Sequence, residues 1–257
     1  MPSLTPNDIL ADLHTHTIAS AHAYSTVYEN IQCARAAGMR FLAVTDHYYQ
    51  HGDYIDRKNE IVLMSNVSKD VRPEGLTMIN GMELNVGQSI DRATNLEKIY
   101  RDIRWRPVGM HSMFIRCADY RIEDVPSLFE MTVTDSKYIT PTAFAHIERK
   151  LGEFRGGDDD RRVKNALAEI IEVAEKYHII LELNEGSLAR SRSVYMERMR
   201  YWLTLASKRD VLLSMGTDAH YCEWVGRFDK LIALMNETGV DGDKVLNVNT
   251  SLLEPYI

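Results

Sequence analysis

One stretch near the start of the chain, DLHTHTIASAHAYST at residues 12–26, concentrates side chains that are able to bind metal ions. It contains Asp12, His14, His16 and His22. Because residues 12, 14 and 16 alternate, a β-strand would direct all three side chains toward the same side. A single histidine on a strand is more often a hydrogen-bonded core or surface residue. Several imidazoles beside a carboxylate instead favour a metal site.

Similar side chains follow other short apolar runs. They are His47 after FLAVTD, Glu83 in INGMELN, His111 in VGMHS, His146 in AFAH, and Asp218 and His220 after LLSMGT. Leaving this many buried polar groups without strong partners would cost about 1–3 kcal/mol for each group. Imidazoles with a few carboxylates suit zinc, iron or manganese better than magnesium or calcium, which prefer oxygen ligands.

The elements that must position these residues are predicted from apolar runs that alternate with longer amphipathic stretches. Seven strands are predicted, at 9–15, 41–47, 76–86, 107–114, 142–147, 178–184 and 211–218. Helices are predicted at 27–37, 161–177, 193–208 and 225–237. This alternation indicates repeated βα units with parallel strands. In a parallel barrel the C-terminal ends of the strands form one mouth, so residues far apart in sequence would converge there.

Two stretches do not follow this pattern. The least regular stretch is 116–140. Residues 152–160, GEFRGGDDD, are predicted to form an exposed loop, because two glycines and three consecutive aspartates are costly to bury.

Composition limits the class of protein. The 257 residues, 45% of them hydrophobic, suit a single domain over 1–257. With 30 basic and 37 acidic residues the net charge is −7, which argues against nucleic-acid or membrane-surface partners. Cys33, Cys117 and Cys222 are far apart in sequence and indicate neither a disulfide framework nor a cysteine zinc cluster. Without a signal peptide or membrane span in the sequence, we expect a cytoplasmic protein; a homo-oligomer is compatible with it.

Taken together, these motifs resemble the PHP domain, the polymerase and histidinol phosphatase superfamily of metal-dependent phosphoesterases. The closest resemblance is to its YcdX-type phosphatase branch. The matching motifs are DLHTHTIASAHAYST, AVTDH, GMELN, GMHS, AFAH, LELN and GTDAH, in the family's order across residues 12–220. The resemblance implies an α/β fold, a distorted (β/α)7 TIM-like barrel, with three divalent metal ions at the C-terminal mouth of the strands.

The resemblance also implies which residue holds which ion. It assigns the first ion to His14, His16, Glu83 and Asp218, the second to Glu83, His111 and His146, and the third to His22, His47 and His220. Zinc is the expected metal, with iron and manganese as alternatives. One departure from the family lies after His146, where a Pro-Gly turn is common but this chain continues with Ile147, Glu148 and Arg149. The geometry of that loop is not predicted.

The implied activity is hydrolysis of a small-molecule phosphate monoester. A hydroxide bridging two of the ions would attack phosphorus, with Glu83 and Asp218 as catalytic residues that hold the ions. Arg192 in LARSRS is predicted to clamp the phosphate, although an arginine at a helix start can simply be solvated. Two other functions stay open. One is a nuclease or phosphodiesterase acting on oligonucleotides or nucleotides, against which the chain lacks a basic track with interleaved aromatics. The other is a metal-binding scaffold without turnover.

Four further polar residues are candidates for supporting roles, two of them beside ligands and two on the sixth predicted strand. Asp12 and Asp46 are predicted either to hydrogen-bond ligands or to cap strand ends. Asn184 is a candidate for orienting substrate or a water molecule, and Glu182 for satisfying donors inside the barrel.

Overall fold

Parallel strands alternate with helices along the chain. The computed structural model describes residues 3–20, 22–48, 67, 69–87, 102–111, 120–189 and 193–257. Within these ranges the strands are β1 (Ala11–Thr15), β2 (Phe41–Val44), β3 (Thr77–Asn80), β4 (Leu84–Asn85), β5 (Pro107–Gly109), β6 (Ala143–Phe144), β7 (Ile180–Asn184) and β8 (Leu213–Gly216). The α-helices there are α1 (Val27–Ala36), α2 (Val125–Thr134), α3 (Asp160–Tyr177), α4 (Glu185–Ala189), α5 (Ser193–Ala206) and α6 (Asp229–Thr238).

Two parallel sheets together close a barrel. One has the order β1-β2-β3 and the other runs from β4 to β8 in sequence order. Strands β3 and β4 are two parts of one predicted strand, interrupted at residues 81–83. The two sheets meet again where the end of β8 lies beside β1. There the Asp218 N–H donates to the His14 carbonyl at 2.8 Å, and the His16 N–H donates to the Ala219 carbonyl at 2.9 Å. The predicted α/β fold, a barrel of parallel strands, is confirmed; counted with β3 and β4 as one, the described residues form seven strands.

Apolar packing holds the helices against the sheets. Phe129 of α2 meets Phe144 of β6 edge to face, with ring centroids 4.6 Å apart. A smaller buried cluster surrounds Trp105, whose indole N–H donates to the Leu13 carbonyl at 2.7 Å. These contacts fix the strand ends on which the candidate site depends.

The structure corrects three expectations about local structure. Helix α2 lies inside the stretch 116–140; Pro126 sits in its first turn, where a missing N–H costs nothing. The stretch 152–160 is not wholly exposed, because Phe154 is buried. Within it, Asp159 caps α3 by accepting the N–H groups of Arg161 and Arg162. The last helix begins at Asp229 and not at residue 225.

Two cysteines that are distant in sequence are neighbours in space. Cys33 of α1 contacts Cys222 of the 3-10 turn Cys222–Trp224, and both are free thiols. Burial, reinforced by the contact with Cys222, raises the pKa of Cys33 to about 11. Cys117 lies outside the described residues. No helix in the described ranges has the length and apolar character to cross a membrane.

Candidate metal centre

All nine predicted metal ligands meet at the C-terminal ends of the strands. They are His14, His16, His22, His47, Glu83, His111, His146, Asp218 and His220. The ligand atoms of eight of them form four overlapping groups in which all atoms lie within 4.8 Å of one another, namely His16/His47/His220, His14/Glu83/His146, His14/His16/Asp218 and His47/Glu83/His111. The ninth, His22, has its Nε2 atom 2.7 Å from His220 Nε2. Seven of the nine line a cavity of about 180 Å³, together with Met110, Arg149 and Lys150.

Glu83 lies at the centre of this cluster, in the interruption between β3 and β4. Its Oε1 atom is 2.8 Å from His146 Nε2 and 3.0 Å from His111 Nε2. Its Oε2 atom is 2.8 Å from His47 Nδ1 and 3.3 Å from His14 Nε2. His16 Nε2 is 3.4 Å from the same Oε2 atom. One buried carboxylate therefore faces five imidazoles, an arrangement suited to a ligand shared between two cations.

Hydrogen bonds outside the cluster fix the tautomers of several imidazoles. The Nδ1 atoms lie near Glu182 Oε2 for His14 (2.7 Å), Ser20 O for His22 (2.8 Å), Asn85 Oδ1 for His111 (2.6 Å) and Asp218 O for His220 (2.9 Å). Carboxylate and carbonyl oxygens only accept, so each Nδ1–H donates and each Nε2 keeps its lone pair in the neutral ring. These lone pairs point into the cluster.

His16 is oriented by a relay that begins at Asp46. The Ser20 hydroxyl donates to Asp46 Oδ1 at 2.6 Å, so its oxygen is available to accept the His16 Nδ1–H at 3.0 Å and the His47 N–H at 3.1 Å. Asp46 also accepts the Thr17 hydroxyl at 2.6 Å. Asp46 was predicted either to hydrogen-bond a ligand or to cap a strand end. The structure favours support of a candidate ligand, His16, through Ser20.

Asp12 binds the segment that follows β8. Its carboxylate accepts the Thr217 hydroxyl at 2.6 Å, the Thr217 N–H at 3.0 Å and the Gly226 N–H at 2.9 Å. Burial raises its pKa to about 6. These contacts tie β1 to the segment after β8, so Asp12 holds the backbone that carries His14 and Asp218.

A second polar chain runs beneath the cluster through Glu182, Asn184, Arg149 and Asp218. Glu182 Oε1 accepts the Asn184 side-chain amide at 2.7 Å, and Asn184 Oδ1 accepts Arg149 Nη2 at 2.6 Å. Arg149 Nη1 donates to Asp218 Oδ2 at 2.6 Å. Together with the His14–Glu182 bond, this chain orients one ligand on β1 and another directly after the neighbouring strand β8. The sequence analysis did not predict Arg149 as a site residue. The one indication in the sequence was that Arg149 belongs to the segment that replaces the Pro-Gly turn common in the family.

The backbone is adapted to the cluster at specific positions. His146 (φ 36°) and Asp218 (φ 53°) both adopt left-handed conformations, which non-glycine residues rarely do and which gather at functional sites. A Cβ atom on Gly109 would overlap the His146 ring, and one on Gly216 would overlap the His14 side chain. Glycine at these positions makes room for the two imidazoles.

At several candidate ligands other than His14, burial and neighbouring charges shift pKa values toward the protonation states that suit metal binding. Burial lowers the pKa of His16 well below its ordinary value, and lowers that of His146 to about 4. Burial would raise the pKa of Glu83 and Asp218. The adjacent histidines hold the pKa of Glu83 well below its ordinary value, and Arg149 does so for Asp218. His14 differs, because Glu182 and Glu83 outweigh burial and raise its pKa. Neutral imidazoles and ionised carboxylates are the forms that ligate cations.

The donor set fits a group of transition-metal ions. Buried Glu83 Oε2 and His146 Nδ1 have no aligned hydrogen-bond partner among the described residues. The Nε2 atoms of His14 and His16 are 3.1 Å apart, although each Nδ1–H is already directed to another acceptor. Nitrogen-rich shells with a few carboxylates suit zinc, iron or manganese. Arg192, the predicted phosphate clamp, lies outside the described residues.

Comparison with known families agrees with this site. The sequence matches the PHP domain family over residues 12–186, more than half of its length, and the chain belongs to that family. It is similar to a protein named "Probable phosphatase" from Clostridium novyi, with 25% identity over 252 residues, 96% of this chain and 93% of the relative. A relative of the same name from Vibrio parahaemolyticus is 27% identical over 255 residues, 95% of this chain and 91% of the relative.

Two solved structures show the same fold. One is histidinol phosphate phosphatase from Lactococcus lactis, complexed with zinc, L-histidinol and phosphate; its TM-score is 0.60 at 16% identity, covering 91% of this chain and 95% of that one. The other is a chain in a cryo-EM structure of archaeal ribonuclease P with mature tRNA, with a TM-score of 0.54 at 15% identity, covering 95% and 89%. At these identities the similarity establishes the fold alone.

Proposed function

We propose that this chain is a metal-dependent phosphatase that hydrolyses a small-molecule phosphate monoester. The observation that carries the proposal is the convergence of imidazole lone pairs around Glu83 and Asp218 at one cavity. The relatives named as probable phosphatases align over nearly the whole chain, which supports the same activity.

Three divalent ions, with zinc as the first candidate, would occupy the cluster. His14, His16, Glu83 and Asp218 would hold the first, Glu83, His111 and His146 the second, and His22, His47 and His220 the third. The zinc in the L. lactis phosphatase structure supports this choice of metal. Such ions, when bound, supply Lewis acidity and lower the pKa of water so that a nucleophile exists at neutral pH.

The protein's own residues would prepare the site for an anionic ester. Ionised Glu83 and Asp218 balance much of the positive charge of the ions. Glu182 and Ser20 keep His14 and His16 in one orientation each, so little reorganisation is needed when substrate arrives. The cavity of about 180 Å³ is smaller than the 300–1,000 Å³ typical of drug-sized ligands. Among the described residues it therefore suits the phosphoryl end of an ester better than a polymer.

A paired assay tests this function. Zinc-loaded protein is incubated with p-nitrophenyl phosphate and a panel of sugar, amino-alcohol and nucleotide monophosphates, beside a labelled single-stranded oligonucleotide. We expect turnover of monoesters and little cleavage of the strand. Preference for the strand would replace the proposal with a nuclease, and bound metal without turnover of any ester would replace it with a metal-binding scaffold.

Asp218→Asn is the inactive control for that assay. Asparagine tolerates the left-handed backbone at this position, so the fold should persist in circular dichroism. Loss of a ligand's charge should reduce turnover by more than about 100-fold, beyond the range typical of residues that only support ligands. Turnover at the wild-type rate in this variant would contradict the assigned site.

A further inference from the structure

Arg149 is a buried cation in the wall of the candidate metal cavity. Its side chain is only 7% exposed. Its Nε atom donates to Ser187 Oγ at 3.1 Å, Nη1 to Asp218 Oδ2 at 2.6 Å and Nη2 to Asn184 Oδ1 at 2.6 Å. A guanidinium has five N–H donors, and these contacts among the described residues use three of them. One N–H on each Nη atom is left over.

The other residues that line the cavity indicate which kind of ligand those two N–H groups can bind. Among the described lining residues the basic ones besides histidine are Arg149 and Lys150. Lys150 is more exposed and its Nζ pairs with Glu153 at 2.6 Å. Arg149 is instead locked by three partners, so its planar group has one orientation. A rigid, planar pair of N–H donors matches two oxygens of a phosphoryl group.

We infer that Arg149 binds the phosphoryl oxygens of the substrate through its remaining Nη donors while its other donors hold Asp218 and Asn184. The inference rests on the proposed phosphatase function. It gives Arg149 the role that the sequence pattern suggested for Arg192, and it selects substrates that present a terminal, doubly ionised phosphate.

A purely positioning role makes a different prediction. If Arg149 only oriented Asp218, its removal would weaken metal binding, and phosphate affinity would fall only as far as metal was lost. Contact with phosphate instead predicts weaker phosphate binding at equal metal content. Binding of inorganic phosphate separates the two, because it requires no turnover.

The test compares wild type with Arg149→Met, Arg149→Lys and the matched control Arg198→Met, all loaded with zinc. Arg198 is also buried, but it lies on α5, outside the described lining of the cavity, and donates to the Gly157 carbonyl. Zinc per chain is measured by mass spectrometry, phosphate affinity by calorimetry, and phosphate inhibition of p-nitrophenyl phosphate hydrolysis by kinetics.

Compared at equal zinc content, Arg149→Met is expected to bind inorganic phosphate about 10- to 100-fold more weakly than wild type, the range for a lost hydrogen bond to a charged group. Arg149→Lys keeps the charge without the planar fork and should be weakened less, by several-fold. Arg198→Met should stay within about twofold of wild type. If the methionine variant does not fold, the lysine variant decides.

Phosphate affinity within twofold of wild type in the decisive Arg149 variant, or a loss that only tracks missing zinc, would overturn the inference. Failure of the proposed function looks different. In that case the wild type would bind phosphate yet hydrolyse no monoester, and the Arg149 variants would still bind phosphate more weakly.

Discussion

The Nε2 atoms of His22 and His220 face each other at 2.7 Å, although both rings donate through Nδ1 to main-chain carbonyl oxygens. Burial, reinforced by His47 and His220, lowers the pKa of His22 to about 4, so its ring is neutral near pH 7. In the neutral tautomers that these carbonyls select, two lone pairs would meet head-on. A shared cation removes that repulsion.

This pair predicts that His22 and His220 serve the same ion. We expect His22→Ala and His220→Ala each to lose one of three zinc ions, and the double variant to lose no second one. Elemental analysis of the purified variants measures this. His178→Asn is a matched control, since His178 ends α3 in a left-handed conformation that asparagine tolerates. Loss of two ions in the double variant would mean that the two histidines serve different sites.

Glu182→Gln is predicted to weaken metal binding about 10- to 100-fold, the range for residues that support ligands. Asn184 donates to one Glu182 oxygen, and its own oxygen is held by Arg149 and the Ser187 N–H. A glutamine amide must therefore point its donor at either His14 or Asn184. Facing His14, it would move the ring proton onto Nε2 and block that ligand atom.

Competition with a zinc chelator measures this loss of affinity. Glu185→Gln is the matched control, because Glu185 accepts main-chain N–H groups of α6, namely those of Lys230 and Leu231. Equal zinc affinity in wild type and Glu182→Gln would show that Glu182 does not support a ligand.

The lowered pKa of His146 predicts how the free energy of unfolding of the metal-free protein depends on pH. This pKa is lowered, chiefly by burial, to about 4 from an ordinary 6.5, so the unfolded chain binds more protons between these values. The free energy of unfolding should therefore fall as pH decreases from 6.5 to 4, by up to about 1.4 kcal/mol per pH unit for this group. Urea unfolding of wild type and His146→Asn across this window isolates the effect. Identical slopes in the two proteins would contradict it.

Asp159→Ala is predicted to lower stability by about 1 kcal/mol, the usual value of a helix N-cap, without changing turnover. The carboxylate caps α3 and is not among the described residues that line the cavity. Thermal unfolding and the phosphatase assay together check both parts. Asp158→Ala is the control, because the cap bonds come from Asp159. A loss of activity in the Asp159 variant would place this loop in the site.

The strands and the nine candidate ligands can be predicted from the sequence because each depends on a short local pattern of residues. Apolar runs such as FLAV form buried parallel strands, and polar residues at their C-terminal ends meet because parallel strands end on one side. His14 and His16 are one strand-repeat apart, so their common direction follows from the backbone.

The support around those ligands could not be read in the same way. The bond between Arg149 and Asp218 joins residues 69 positions apart and depends on the turn after His146. For Glu182 the sequence predicted only that it would accept hydrogen bonds inside the barrel. Its particular partner, His14, could not be predicted, because the bond joins β7 to β1. Helix α2 was missed since Pro126 is compatible with a loop as well as with a first helical turn.

Diffraction from crystals of freshly purified protein, recorded on both sides of the zinc, iron and manganese absorption edges, tests the metal centre most directly. We predict three anomalous peaks, with Glu83 between two of them and the His22–His220 pair on the third. A cavity that holds no peak after growth and purification with these metals, while hydrolysis of monoesters survives chelation, would contradict a metal-dependent site.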